Sequence, residues 1–101
     1  MKIDALMLDT KDNVVTCVRD VAAGETVHYR KDAELCEVAA KEDIPFGHKI
    51  ALKTFEKEDE VLKYGELIGK TRESIAMGCL VDHRNIYSVP RDYASEYISE
   101  A

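Results

Sequence analysis

The strongest constraint on this chain is the period of its apolar residues, which is two over most of its length and is broken at short intervals by turn formers. Alternate residues of a strand share one face, so Ile3, Ala5 and Met7, alternating with Asp4 and Leu6, predict a first strand. Val14 to Arg19 is rich in β-branched residues and predicts a second. Further strands are expected at Thr26–Tyr29, His48–Lys53, Val61–Tyr64, Glu66–Lys70 and Cys79–Val81. Asp9 to Asn13 is a polar turn, Gly24 and Gly47 end two more, and Gly65 marks a hairpin corner. Ala33 to Ala40 fits a strand or a helical turn, because alanine and glutamate favour helix. Thr71 to Met77 is expected to form one helical turn with Thr71 as its N-cap. No internal repeat is legible. The expectation is a mainly β domain of short bent strands with one or two short helical turns. It is one domain over 1–101 with a core at about 3–87, and the tail 90–101 carries Tyr93, Tyr97 and Ile98 at the spacing of a short docking helix.

With 101 residues, a single domain of common size is expected. So small a chain rarely encloses a deep active site, so any catalysis is expected to be shared with a partner chain. The net charge of -6 argues against nucleic acid, whose phosphates need a basic face. No apolar run approaches the ~20 residues that span a membrane, and the acid at Asp4 interrupts any signal-peptide core. Cys17, Cys36 and Cys79 are odd in number and lack CxxC spacing, which favours reduced, buried thiols over zinc ligands. Together these features predict a soluble cytoplasmic protein.

The residues with chemistry cluster around two strands. His48 and Lys49 follow the Ile44-Pro45-Phe46-Gly47 turn, where the imidazole could serve as general acid, base or metal ligand, or simply close the turn. Lys49 is a solvated charge or a carboxylate binder. His83, Arg84 and Asn85 follow an apolar strand, as site loops often do. Lys63 and Tyr64 flank Gly65, with Tyr64 expected to pack. His28 is expected on a strand surface, and Glu56 to Glu60 in a solvated connector.

Three segments resemble the SAF-type domain of the altronate/galactarate dehydratase family. Arg19-Asp20-Val21-Ala22-Ala23-Gly24 is similar to an "RD-(I/V/L)-xx-G" turn, Ile44 to Leu52 to "IPxGHKxAL", and Lys63 to Gly69 to "KYGxxIG". The resemblance implies a β-clip fold and a small subunit acting with a large catalytic subunit. The implied reaction is elimination of water from a sugar acid, or of sulfite from sulfolactate. It also implies a divalent metal, iron(II), held mainly by the partner chain. His48 and Lys49 become the catalytic candidates, and Lys63, Arg84 and Asn85 the substrate-binding ones. The family's terminal "HxHN" falls on Asp82-His83-Arg84-Asn85, a departure that leaves Asp82, His83 and His48 as candidate ligands, since Arg84 cannot bind metal. A non-catalytic ligand-binding or assembly module, and a homo-oligomer built through edge strands, are the alternatives.

Overall fold

The computed structural model describes residues 2–88, and every regular element within them is a strand. In chain order these are β1 (Ala5–Leu6), β2 (Val14–Cys17), β3 (Thr26–Lys31), β4 (Glu34–Ala39), β5 (Lys49–Ala51), β6 (Glu60–Lys63), β7 (Glu66–Thr71), β8 (Leu80–Val81) and β9 (Ile86–Tyr87). A four-stranded antiparallel sheet runs β1-β2-β5-β8, a hairpin pairs β3 with β4, and a third sheet runs β6-β7-β9. The mainly β expectation holds. The tail expected at 90–101 lies outside the described residues.

The four-stranded sheet is buried on both faces, because its strands carry apolar residues at consecutive positions. Val15, Ile50 and Leu80 lie across from one another and join Ala5, Cys17, Val27 and Ile44 in one cluster. Val14, Ala51 and Val81 face the other way into a cluster with Phe55, Val61 and Ile75. The first cluster is closed by the β3–β4 hairpin and the second by β6, β7 and β9.

An internal repeat organises both halves. Val21, Ile44, Phe55 and Ile75 are each buried, and so is the sixth residue after each: Val27, Ile50, Val61 and Val81. Between the two lies a tight turn whose fourth residue donates its N–H to the carbonyl of the first, as in Glu25 to Ala22 and Cys79 to Ala76. The third turn residue has positive φ in all four: Gly24 (90°), Gly47 (81°), Glu58 (69°) and Gly78 (91°). That is the requirement of a type II turn, met most cheaply by glycine. Each turn is then fixed by two reciprocal bonds to one strand-end residue. Gly24 N–H donates to Ala40 O, and Ala40 N–H to Glu25 O; Cys17, Thr71 and Ala51 hold the other three turns in the same way, all at 2.8–3.0 Å. Antiparallel bridges join the repeat starts in pairs, Val21 with Ile44 and Phe55 with Ile75.

This repeat corrects two expectations. The 71–77 segment is not a helical turn: Thr71 ends β7, its hydroxyl donates to Glu56 O, and Ile75 sits in the bridge to Phe55. The long-range bridge and the burial of Ile75 outweigh a weak local helix preference. The charged stretch around Glu56–Glu60 is likewise a core-anchoring turn flanked by buried Phe55 and Val61, not a plain connector. Ala33 to Ala40 resolves as strand, since β4 pairs with β3 along its whole length.

The turn glycines differ in their surroundings. A Cβ at Gly24 meets nothing within 4 Å, whereas one at Gly78 would lie 2.2 Å from Ala39 O. Gly24→Ala should therefore cost only the left-handed backbone penalty, about 1–2 kcal/mol. Gly78→Ala adds a backbone clash and should cost clearly more. Urea unfolding of both variants checks this; equal midpoints would contradict it.

Candidate functional site

Lys49 lies in β5 between Thr16 of β2 and Val81 of β8. Alternation puts it on the face that carries Val14, Ala51 and Val81, at the border of the second cluster. The side chain is half-buried, and burial lowers its pKa; the nearby Lys63 ammonium lowers it further, while Asp82 acts in the opposite direction. The start of β5, the end of β6 and the start of the loop after β8 thus lie near enough for their charges to act on one another. The effect is a local concentration of positive charge on a protein whose net charge is -6.

The hairpin corner that carries Lys63 is held firmly. Tyr64 and Gly65 both have positive φ, at 59° and 71°. Gly65 N–H donates to Asp12 Oδ1 at 2.8 Å, and a Cβ on Gly65 would fall 2.6 Å from Asp9 Oδ2. Only glycine fits there. The Lys63 ammonium lies 4.8 Å from the Tyr64 ring centroid, with the ring itself exposed. Asn13 ties the corner to the sheet, accepting from Leu62 N–H and donating to Glu60 O.

The loop after β8 is closed upon itself. The buried Asp82 carboxylate accepts from Arg84 N–H at 3.0 Å, from Arg84 Nε at 3.0 Å, and pairs with Arg84 Nη2 at 2.9 Å. Burial pushes the Asp82 carboxyl up, but these Arg84 contacts outweigh it and hold the group below its ordinary range. Asn85 accepts from Asp82 N–H and donates to Leu80 O at 2.7 Å. Arg84 and Asn85 therefore shape the loop. The cleft beside them, about 270 Å³, is lined by Glu42, Glu73 and Asp82 as well as Arg84, a poor place for an anion.

His48 is exposed in the turn before β5, at the opposite parity from Lys49. Its Nδ1 lies 3.2 Å from Phe46 O. A carbonyl only accepts, so Nδ1 carries the hydrogen, and in the neutral ring Nε2 is left as a proton acceptor. Backbone bonds to Cys17 from both Gly47 and His48 fix where the imidazole starts.

The metal expectation was tested on the donor set. Among the described residues no three His, Cys, Asp or Glu side chains are placed to hold an ion. Asp82 is occupied by Arg84, and His83 is exposed on the loop. The described residues do not by themselves form a metal site. Nor do the cysteines: all three are free, and only Cys17 is buried, where burial raises its pKa to about 11.

The chain matches the altronate/galactarate dehydratase SAF domain over residues 3–89, and it belongs to that family. It is 36% identical over 73 residues to altronate dehydratase from Bacillus subtilis (strain 168), covering 72% of this chain but 14% of that protein. It is 32% identical over 92 residues to (2R)-sulfolactate sulfo-lyase subunit alpha from Chromohalobacter salexigens, covering 88% of this chain and 95% of that one. The corresponding subunit from Paracoccus pantotrophus is 58% identical over 33 residues, a third of this chain and 49% of its own.

One polar centre was not foreseen. Asp4, 4% exposed, accepts from Arg19 Nε at 2.8 Å and from His28 N–H at 2.9 Å, and lies 3.1 Å from His28 Nδ1. His28 is therefore half-buried between Asp4 and Glu37 and not a plain surface histidine. The available signal was an acid on a strand whose neighbours are apolar. Burial pushes the Asp4 carboxyl up, yet the Arg19 and His28 donors prevail and hold it at about 2. A depressed carboxyl stabilises the fold above its unfolded pKa, here 3.8, and loses that contribution as pH falls towards 2. The stake is about 2 kcal/mol. Stability measured by urea unfolding should fall across that window in the parent protein and fall less in Asp4→Asn; parallel pH curves would contradict the assignment.

Proposed function

We propose that this chain is the small, SAF-type subunit of a cytoplasmic lyase that eliminates water from an aldonic or aldaric acid together with a longer catalytic chain. The observation that carries the reading is half-buried Lys49 at the border of the central sheet, close enough to Lys63 for that charge to lower its pKa further. Family membership supplies the reaction class.

β-Elimination from a hydroxy acid removes the proton next to the carboxylate and drives charge onto the carboxylate oxygens as an enediolate. Two ammonium groups at that carboxylate bind the transition state more strongly than the ground state, because charge on those oxygens grows as the proton leaves. Half-burial of Lys49 strengthens its attraction by thinning the water between the charges. His48 offers Nε2 as the base, or, once protonated, as the acid that assists the departing hydroxyl. An iron(II) or similar divalent ion, in this reading, is ligated by the longer chain and supplies Lewis-acid assistance there.

A sulfo-lyase subunit is the second reading. It is favoured by the match to 95% of the Chromohalobacter salexigens alpha subunit. The same cationic pair would serve, since sulfolactate also presents a carboxylate and differs in its leaving group.

Reconstitution with the longer chain tests the assignment, with altronate, galactarate and sulfolactate as substrates. Loss of a charge-assisted contact worth about 1.5–3 kcal/mol predicts that Lys49→Ala and Lys63→Ala each lower kcat/KM about 10- to 100-fold. His48→Ala should lower kcat, and unchanged turnover would remove His48 from the site. Activity with none of the three acids, alongside tight sugar-acid binding by the isolated chain, would favour a binding module. Independently, Lys63→Ala should raise the pKa of Lys49 towards its ordinary value, because a neighbouring cation has been removed. NMR titration of the Lys49 Cε resonance reads this directly, and an unmoved midpoint would separate the two lysines.

A further inference from the structure

The two halves of the repeat differ in one respect. In the second half the β6–β7 hairpin is completed by β9, which pairs antiparallel along β7 at Lys70–Tyr87 and Thr71–Ile86. In the first half the β3–β4 hairpin has no third strand on β4 among the described residues. Ala40 N–H bonds to Glu25 O, which fixes the alternation of the ladder that follows. By that alternation Leu35, Glu37 and Ala39 direct their N–H groups away from β3; the Gly78 turn lies against Ala39, so the open edge is the stretch that carries Leu35 and Glu37. The other side of the hairpin is covered, since Asp4 N–H donates to His28 O and the Asp4 carboxylate accepts from His28 N–H. A two-stranded hairpin is marginal alone in water, and an open edge over Glu34–Val38 with neither lysine nor proline on it is a template for strand addition.

We infer that the β4 edge receives an extended strand from the longer lyase chain, completing the hairpin as β9 completes β6–β7. The occupant follows from three observations. The repeat shows that an antiparallel strand is what this architecture places on the equivalent edge. In the Bacillus subtilis relative the matched part is 14% of the protein, so the domain there lives beside a much longer chain. The edge also has a defined chemistry. Cys36 and Val38 face the side of the buried Val27, whereas Glu37 faces outward at 68% side-chain exposure beside half-exposed Leu35. The incoming strand should alternate apolar residues against Cys36 and Val38 with a basic residue against Glu37.

This surface rests on the two-chain reading above, and the test separates the two. The chain is co-expressed with the long lyase chain from its own genome, and amide exchange is compared for the complex and the isolated chain. Exchange at Leu35 and Glu37 should slow at least tenfold in the complex. Glu37→Pro, which removes an edge N–H that β3 does not use, should weaken association at least tenfold while the isolated variant keeps its unfolding midpoint. Should that variant unfold, Leu35→Lys gives the same reading by charge. A complex that forms and turns over with unchanged exchange at these amides overturns the surface alone. Amides already protected in an isolated chain of dimer mass assign the edge to a second copy and overturn the occupant. Two chains that never associate remove both the functional reading and this surface.

Discussion

Eight backbone hydrogen bonds, two at each of four turns, hold the fold. The same exchange recurs each time: the left-handed residue of the turn donates to a strand end, and that strand residue donates back one position further on. Because the clamped residues Cys17, Ala40, Ala51 and Thr71 each belong to or directly follow a strand, the turns are coupled to the sheets. The strands of the central sheet are only two to four residues long and have few ladder bonds of their own. Here the turns supply the long-range registration that longer strands would otherwise provide.

The same clamps set the site. Cys17 holds both Gly47 and His48, so the imidazole and the lysine that follows it are positioned from the backbone of a neighbouring strand and need no contact between their own side chains. At the other end Asp9 and Asp12 fix the corner beside Lys63, one by occupying the space over Gly65 and the other by accepting its N–H. Glycine at 47 and 65 meets a left-handed φ, with the Asp9 side chain also close over Gly65, and the charged residues beside them inherit a fixed origin.

Much of this was legible from the residues. The β-branched alternation at Val14–Cys17, the Pro-Phe-Gly turn before β5 and the glycine corner at 65 are local signals, and each formed as expected. The third copy of the repeat was hidden because Glu58 occupies the left-handed position that glycine holds elsewhere, so Phe55 looked like the edge of a charged linker. Thr71 and Ile75 were misread because local helix preference is small beside a bridge formed twenty residues away. Asp4 escaped notice for a related reason. Its partners lie elsewhere in the chain, Arg19 in the bend after β2 and His28 in β3, and only the folded register brings all three together. Similarly, Arg84 and Asn85 read as an open polar cluster, whereas both are engaged within the loop, Arg84 from the surface by Asp82 and Asn85 by Leu80 O.

Net charge and local charge point in opposite directions in this molecule, and distance decides which matters to a ligand. At physiological ionic strength, fields from exposed charges decay over about 8 Å. An anionic substrate beyond that range meets a weak and mildly repulsive surface. Within it, the Lys49 and Lys63 ammoniums dominate, and the half-burial of Lys49 keeps solvent from screening its share. Burial is the main cause of the lowered pKa of Lys49 and the Lys63 charge adds to it; a carboxylate bound near both would offset that repulsion as well as add favourable contacts. Arg84 lacks this property, since Asp82 already neutralises it. Arg84 is paired with Asp82, and the cleft beside it is lined by Glu42 and Glu73, so on this face it is Lys49 and Lys63 that the proposed acid would meet.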